Sequence, residues 1–375
     1  MSRRMATESH RVLMVAGGTG GHIFPALAVA EVLRARSEAR AGLAEDVAAR
    51  YQIEFVGTKR GLDSRLIPSA GFPLRAISGA GLKGIDGWRR IRNFLVLPRS
   101  AVETALLLRE FQPDVVVGMG GYIAGPAMLE AALRDIPTLL IEPNAVPGFT
   151  NLVLAPVVRL AAVGYEEAAR VYGPKARVTG HPIRQAFFRI APKPHVAPFT
   201  VLIFGGSQGS AVLNACAVRS LPLLPPPAAS WRFIHQTGER DYNEVRQAYQ
   251  EQEINAEVHA FIEDMPATFA RADLIVSRAG ANTVAELAAA GKAALLIPFA
   301  AATDQHQMAN ARTLERAGAA RVVPQAELTP ERLLKELQEL LASPARLAEM
   351  EQRARRLARP DAAERIADLV EELAR

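Results

Sequence analysis

Short runs of apolar residues alternate along this chain with longer segments in which apolar and polar positions follow a helical period. Runs of three to five residues rich in Val, Ile and Leu are typical of strands buried on both faces, and the segments between them are typical of helices that cover a parallel sheet. The pattern predicts strands at residues 12–16, 53–56, 115–117, 138–141, 200–204, 232–235, 274–276 and 294–297. We therefore predict an α/β fold built on parallel sheets.

The alternation is interrupted at residues 189–198, where Pro192, Pro194 and Pro198 exclude a regular element. A strand, a glycine-rich loop and a helix follow directly. We predict an N-terminal domain over residues 1–185 and a C-terminal domain over residues 198–360. Residues 361–375 have the apolar period of one further helix, with Asp361 placed to cap it. Such a helix can pack back across a cleft onto the other domain, but its periodicity does not decide which domain it covers.

The composition is that of an ordinary globular protein, with 375 residues, 49% hydrophobic and 22% charged. A single cysteine, Cys216, excludes an internal disulfide and a thiolate metal cage. No apolar run reaches the roughly 18 residues that a membrane-spanning helix needs. The net charge of +5 suits an anionic partner, but no zinc-finger spacing or basic-aromatic motif indicates nucleic acid. We expect no nucleic-acid partner.

Three glycine-rich loops each follow a predicted strand: GGTGGH at residues 17–22, GMGGY at 118–122 and GGSQGS at 205–210. Glycine lets the backbone approach a phosphate closely, and a helix N-terminus offers free N–H groups and partial positive charge. The alternative for each loop alone is a tight turn that needs positive φ. Three such loops at strand ends favour anion binding, because ligands of open α/β sheets lie beyond the carboxyl ends of the strands.

Two further segments carry polar groups after a strand. In RAGANTVAE, residues 278–286, Thr283 and Glu286 have the spacing of a capping box, a purely structural role. The alternative makes Glu286 an ionised acceptor for two neighbouring ribose hydroxyls, and the spacing leaves both open. In DQHQ, residues 304–307, the amides could hydrogen-bond sugar hydroxyls, but a solvated helix start is the favoured interpretation on this segment alone.

Several motifs are absent from the chain. There is no Asp-x-Asp motif for a divalent metal on a pyrophosphate and no Walker P-loop. The spacing of GGTGGH also departs from the G-x-G-x-x-G of dehydrogenases. We therefore expect no metal and no cofactor, so that helix dipoles, loop amides and arginine would have to neutralise any bound pyrophosphate.

Taken together, the loops resemble those of the bacterial UDP-N-acetylglucosamine–N-acetylmuramyl-(pentapeptide) pyrophosphoryl-undecaprenol N-acetylglucosamine transferase family, whose members convert lipid I to lipid II in peptidoglycan synthesis. The resemblance covers nearly the whole chain in order, through GGTGGHIFPALAVA, GMGGYIAGP, EPNAVPGFTN, TGHPIR, GGSQGS, HQTG, FIEDMP and SRAGANTVAELAAAGKAALLIPF. It implies a B-type glycosyltransferase fold of two Rossmann-like domains facing a cleft, and an inverting, metal-independent transfer. The family usually has Gln at the position of Pro143 and Asn at that of His181.

The resemblance also implies site residues. The acceptor diphosphate would lie on the first two glycine loops, at Gly18, Gly20, Gly120, Gly121 and Tyr122. The donor, UDP-N-acetylglucosamine, would be held with Ser207 at its phosphates, the backbone of Ile262 at the uracil, Glu286 at the ribose, and Gln307 with His306 at the sugar. Further donor-site residues would be Thr19, Gly20, Gly21, Asn144, Arg184, Ala281, Asn282, Thr283, Val284 and Ala285.

The reaction needs a base for the acceptor hydroxyl and positive potential for the departing diphosphate. His22 is our candidate for the base, because a near-neutral pKa suits that role. The alternative, that His22 only donates a hydrogen bond to a phosphate, is equally open. We expect Arg184 and the helix after residues 207–210 to stabilise the leaving group. The rival functions are a UDP-N-acetylglucosamine 2-epimerase on the same fold and a nucleotide-sugar sensor without turnover.

A lipid-linked acceptor requires the enzyme to reach a membrane surface. Residues 77–99 interleave apolar side chains, Trp88 and Phe94 among them, with basic ones such as Arg89 and Arg90. Taken alone, this pattern favours an amphipathic helix packed on the sheet. The lipid substrate implied by the resemblance instead favours binding to anionic lipid on the cytoplasmic, inner face of the cell membrane.

Overall fold

The structure is a computed structural model that describes residues 9–41, 50–58, 61–77, 96–225, 230–299 and 305–375. Its contacts divide the chain into two compact units. Unit 1 comprises residues 1–183 and 361–375, and unit 2 comprises residues 184–360. Each unit has its own sheet and its own apolar core.

Unit 1 is built on seven strands, all pairing in parallel in the order β3-β2-β1-β4-β5-β6-β7. The strands are β1 Ser9–Val15, β2 Arg50–Thr58, β3 Leu74–Ile77, β4 Val115–Gly118, β5 Thr138–Glu142, β6 Leu160–Val163 and β7 Ala176–Val178. The helices are α1 Gly20–Ala41, α2 Asp63–Ser69, α3 Val96–Phe111, α4 Gly121–Leu133, α5 Phe149–Leu154 and α6 Glu166–Tyr172.

Both faces of this sheet are buried, which explains its continuous apolar runs. Along β1, Val12 and Met14 join the core cluster that contains residues of α1, whereas Leu13 and Val15 join the cluster formed with α3 and α4. Side chains alternate between the faces of a strand, so a strand covered by helices on both sides must be apolar at every position.

Unit 2 has six parallel strands in the order β10-β9-β8-β11-β12-β13. They are β8 Phe199–Phe204, β9 Trp231–Gln236, β10 Ala256–His259, β11 Leu274–Ser277, β12 Ala294–Leu296 and β13 Ala320–Val322. The helices are α7 Gln185–Phe188, α8 Ala211–Ser220, α9 Tyr242–Glu251, α10 Met265–Arg271, α11 Ala281–Ala290, α12 Gln305–Arg316, α13 Pro330–Leu341 and α14 Pro344–Arg356.

The last helix, α15 Ala362–Leu373, packs against α1 in unit 1. Ile366 and Val370 are fully buried in the core cluster that includes Leu33. Arg36 on α1 pairs with Asp368 at 2.8 Å and with Glu371 at 3.1 Å. Asp361 is the N-cap residue, but its side chain accepts no backbone N–H; its Oδ2 accepts Arg365 Nε at 2.6 Å instead.

All eight strands predicted from the apolar pattern are present, as β1, β2, β4, β5, β8, β9, β11 and β12. In the described parts of the chain, no helix is long and apolar enough to cross a membrane.

A buried network of charges ties the segment before β8 to the rest of unit 2. His195 Nδ1 lies 3.0 Å from Asp273 Oδ1, and its Nε2 lies 3.3 Å from Glu351 Oε2. Lys193 Nζ pairs with Asp273 Oδ2 at 2.8 Å, and Lys292 Nζ lies 3.7 Å from Glu351 Oε1. The hydrogen bond to Asp273, followed by that to Glu351, raises the pKa of His195 to about 9. This imidazole is therefore charged in the folded protein at neutral pH.

Because of this network, we expect the folded protein to lose stability as the pH rises into the alkaline range. The pKa of His195 is about 9 when folded and 6.5, its ordinary value, when unfolded. Its stabilisation is therefore complete below pH 6.5 and is lost as the pH rises through about 9. We expect the free energy of unfolding to fall over that range by up to roughly 3 kcal/mol, and calorimetric melting at a series of pH values measures the fall.

His195→Gln should flatten this profile. His259→Gln, which alters a more exposed imidazole of the same unit, is the control and should leave the profile unchanged. A His195→Gln profile parallel to that of the unaltered protein would contradict the assignment.

Candidate functional site

The first two glycine loops lie side by side at the carboxyl ends of two neighbouring strands of the unit 1 sheet. They follow β1 and β4, which pair in parallel, and Met119 N–H donates to Val15 O at 3.1 Å. Gly18 has φ +88°, and a Cβ there would lie 3.4 Å from the Tyr122 ring. Gly121 has φ +76°, and a Cβ there would lie 3.0 Å from His22 Cε1. The structure thus brings together the residues predicted for the acceptor diphosphate.

His22 lies in the first turn of α1, half-buried, with its ring against Gly121. Its Nδ1 lies 3.4 Å from Thr19 Oγ1. Burial lowers the pKa of His22 below its ordinary value, and a hydrogen bond to the Gly17 backbone acts in the opposite direction. The imidazole is therefore neutral at pH 7 and able to accept a proton. It can also donate a hydrogen bond, so this geometry permits both of its predicted roles.

Glu142, at the end of β5, is a residue that the sequence analysis missed. It is fully buried, and its Oε1 accepts the backbone N–H and the side-chain Nδ2 of Asn144 at 2.8 and 2.9 Å. Burial raises the pKa of Glu142, and hydrogen bonds, first those from Asn144, oppose the increase. Asn144 is thus oriented by a buried carboxyl, with Pro143 in place of the usual Gln. The available signal was a glutamate ending an otherwise apolar strand, TLLIE.

The second oxygen of Glu142 reaches the loop that follows. Its Oε2 accepts Asn151 Nδ2 at 2.8 Å and Gly148 N–H at 3.1 Å. Asn151 lies against the second glycine loop, because a Cβ at Gly120 would lie 2.7 Å from Asn151 Oδ1. Glu142 therefore links Asn144 to the loop of Gly120 and Gly121.

In unit 2, the loop at residues 205–210 packs tightly against the turn that follows β9. Gly209 has φ +73°, and a Cβ there would lie only 1.8 Å from Thr237 O. Gly238, at φ +79°, approaches Gln208 O in the same way. Ser210 caps α8, its Oγ accepting Leu213 N–H at 3.4 Å. The close approach requires glycine and positions Ser207, partly exposed, one turn before the helix N-terminus.

Gln236 connects this loop to Ile262, the residue predicted at the uracil. Its Nε2 donates to Gly206 O at 2.8 Å, and its Oε1 accepts Ile262 N–H at 3.3 Å. The backbone N–H of Ile262 is therefore engaged within the protein. A uracil bound at this position would hydrogen-bond to the carbonyl of Ile262, or would replace Gln236 as the acceptor of the Ile262 N–H.

The capping-box interpretation of Thr283 and Glu286 is wrong. Helix α11 begins at Ala281 after the N-cap Gly280, so Glu286 lies in the second turn and cannot close a cap. Its side chain is 10% exposed, and Arg184 Nη2 lies 3.8 Å from its Oε1. Burial raises the pKa of Glu286 to about 7, and the charge of Arg184 opposes this increase. A buried carboxyl with a raised pKa is a candidate for ligand binding.

The remaining predicted residues of unit 2 lie nearby in the chain. Ala281, Asn282 and Thr283 form the partly exposed first turn of α11, whereas Val284 is buried at 2% exposure. Gln307 Oε1 accepts Phe299 N–H at 3.0 Å, which orients its amide. Asp304 lies outside the described residues.

Comparisons with known proteins assign the family. The model of the "Glycosyltransferase family 28 N-terminal domain" matches residues 12–163, and that of the "Glycosyltransferase family 28 C-terminal domain" matches residues 200–366. The chain belongs to glycosyltransferase family 28. Among its relatives, the UDP-N-acetylglucosamine--N-acetylmuramyl-(pentapeptide) pyrophosphoryl-undecaprenol N-acetylglucosamine transferase of Myxococcus xanthus is 43% identical over 367 residues, covering 97% of this chain and 93% of the relative.

Solved structures agree with this family 28 assignment. The crystal structure of MurG from Acinetobacter baumannii is 33% identical, with a TM-score of 0.72 over 97% of this chain and 99% of that one. A UDP-GlcNAc 2-epimerase from Neisseria meningitidis has a TM-score of 0.67 at 14% identity, over 96% of this chain and 100% of that one, and shares only the fold. The family resemblance and the B-type glycosyltransferase fold predicted from the sequence are confirmed.

The part of the chain that the structure describes contains no candidate metal site. No cluster of three or more His, Cys, Asp or Glu side chains is placed there to hold an ion. Metal independence stays a prediction.

Proposed function

We propose that this family 28 member transfers N-acetylglucosamine from UDP-N-acetylglucosamine to lipid I, giving lipid II for peptidoglycan synthesis, with inversion at the anomeric carbon. The observation that carries the proposal is a 43% identity to the transferase of that name over 97% of the chain. The candidate residues for such a transfer follow the carboxyl ends of paired parallel strands in each unit, which supports the proposal.

The donor subsite is proposed on unit 2. Glu286 accepts the two ribose hydroxyls, because its buried carboxyl offers two oxygens at a rigid position on α11. Ser207 and the N-terminus of α8 hold the diphosphate, where backbone N–H groups and the helix dipole favour an anion. Ile262 contacts the uracil, and Gln307 reads the sugar hydroxyls.

The acceptor subsite is proposed on the glycine loops of unit 1. Gly18, Gly120 and Gly121 have φ between +76° and +88°, a backbone conformation that glycine adopts without strain and that lets the main chain approach a diphosphate closely. Tyr122 lies against Gly18, and Gly20 begins α1, whose N-terminus favours an anion beside these loops.

In the transfer step His22 acts as the base. The acceptor hydroxyl oxygen bonds to the anomeric carbon and gives its proton to the neutral imidazole. The bond from the anomeric carbon to the β-phosphate oxygen breaks, and its electron pair leaves with UDP. The lowered pKa of His22 supports this role, since a base must be unprotonated at the working pH.

A lipid-linked acceptor implies a membrane surface, and unit 1 presents an apolar face that fits one. Helix α4 packs against both α3 and α5, with inner side chains in the core. The solvent-exposed side of these helices, here called the outer face of α3–α5, includes seven exposed apolar side chains: Val102, Leu106, Leu129, Leu133, Phe149, Leu152 and Val153. Arg99 and Arg109 lie on α3, and Arg134 is the C-cap residue of α4. We propose that this face binds anionic lipid on the cytoplasmic side of the membrane.

The segment predicted from sequence to bind lipid, residues 77–99, lies almost wholly outside the described residues. Only its ends are described: Ile77, buried at the end of β3, and Val96 to Arg99 at the start of α3. Its contribution therefore stays a prediction.

Donor binding should depend on the ionisation of Glu286. Its pKa is about 7, and only the ionised carboxylate accepts both hydroxyls, so affinity should rise with pH and level off above 7. We expect UDP-N-acetylglucosamine to bind about tenfold more weakly at pH 6 than at pH 8. Isothermal titration calorimetry measures this, and the charge of the donor's diphosphate diester is constant over that range.

Glu286→Gln should bind more weakly and lose the pH dependence. A variant that keeps the affinity of the unaltered protein would mean that Glu286 does not hold the ribose.

The proposed reaction is tested with labelled UDP-N-acetylglucosamine and a lipid I analogue. We expect label in a lipid product, unaffected by EDTA. His22→Ala should lower turnover about 10²–10⁴-fold, a usual loss for a general base, with donor affinity retained. Epimerised UDP-sugar formed without acceptor would identify an epimerase, and donor binding without turnover a sensor. An unchanged turnover with a raised acceptor KM would make His22 a phosphate ligand.

Membrane binding is tested by flotation with vesicles that contain anionic lipid. We expect association that weakens with salt, and weaker association when Leu133 and Phe149 are replaced by Ser, since both are more than 70% exposed. The matched control replaces Val212 and Leu223, exposed apolar residues of unit 2, and should bind as before. Equal loss in both double variants would remove the outer face of α3–α5 as the binding surface.

A further inference from the structure

Arg278 is a buried cation that follows β11 in unit 2. The residue is 6% exposed. Its Nε and Nη2 donate to Ser210 Oγ at 3.1 and 2.8 Å, and its Nη1 donates to Ile297 O at 3.0 Å. The guanidinium also lies over the ring of Phe299, at 5.4 Å from the centroid. All of these partners are neutral.

The charge of Arg278 has no carboxylate opposite it in the part of unit 2 that the structure describes. Its pKa is lowered to about 10 by burial alone, so it remains protonated at neutral pH. Other buried charges of this unit are paired: Lys292 has Glu351, and Glu336 has Arg321. An unpaired buried charge destabilises a fold, and a fold does not retain one without a compensating anion or a function.

The position of Arg278 indicates which anion it would meet. Ser210 ends the glycine loop at residues 205–210 and caps α8. The guanidinium therefore lies beside the backbone that is proposed to hold the donor's diphosphate. Arg184 was predicted from the sequence to stabilise the leaving group. It lies instead 3.8 Å from Glu286, the residue proposed to accept the ribose hydroxyls. The two arginines belong to different parts of the donor subsite.

We propose that Arg278, rather than Arg184, binds the diphosphate of the donor and stabilises the negative charge that UDP acquires as it leaves. This inference rests on the proposed function. When the bond from the anomeric carbon to the β-phosphate oxygen breaks, the electron pair stays on that oxygen, and a guanidinium beside it lowers the energy of the transition state. The planar donors of arginine suit two phosphate oxygens.

The test compares UDP with uridine, which share the base and the ribose but differ in the diphosphate. Calorimetry gives both affinities for the full chain. We expect Arg278→Gln to weaken UDP binding roughly 10–100-fold, as for loss of a charged hydrogen bond, with uridine affinity unchanged. Arg278→Lys should retain most of the preference for UDP. Arg184→Gln should weaken both ligands by a similar factor, and Arg219→Gln, at the exposed far end of α8, should change neither.

Turnover gives the second measurement. Arg278→Gln should lower kcat about 10²–10³-fold, as does loss of a donor that meets developing charge. If Arg278→Gln weakens uridine as much as UDP, or leaves UDP binding intact, Arg278 only supports the loop and the proposal is wrong. If the unaltered protein binds neither ligand, it is the proposed function that fails.

Discussion

Parallel strand pairing is the constraint on which the functional parts of this protein depend. Every strand of a unit runs in one direction, so the loops that lead from strand to helix all lie at the carboxyl ends of the strands, on the same side of the unit. The pairing of β1 with β4 therefore places His22 beside Gly121, and the pairing of β8 with β9 and β11 places Ser210 within reach of Arg278. Residues far apart in the chain meet because their strands are neighbours.

The buried charges of unit 2 fall into two groups: a paired network inside the unit, and two residues that we assign to ligand binding. The network of His195, Asp273 and Glu351 is internally paired, and its charges offset one another. Glu286 and Arg278 are buried with weaker compensation, and burial alters the pKa of each. Such groups lower stability unless a ligand completes them. Their location at the loop edge of unit 2 is the physical reason to assign them to ligand binding.

The apolar pattern predicted the interior strands well and the outer ones poorly. The strands it missed include β3, β7, β10 and β13, the edges of the two sheets. An edge strand is covered less completely, so its residues need not be uniformly apolar; β7 is only partly buried, and β10 is similar. The fifth strand that the pattern missed, β6, is fully buried. Its sequence is LAAV, and small alanines give only a weak apolar signal for a strand or for a helix.

By itself, the sequence determined the fold class and the glycine loops, because apolar periodicity and glycine at tight turns are local properties that a chain carries wherever it folds. The family followed from the resemblance of its ordered motifs to those of known transferases. Tertiary structure alone decided how the polar groups are used. The spacing of Thr283 and Glu286 suited a cap until the start of α11 at Ala281 excluded it. Glu142 and Arg278 acquire their roles from burial and from partners on other elements. Desolvation and long-range contacts exist only once the strands have assembled, and no local pattern records them.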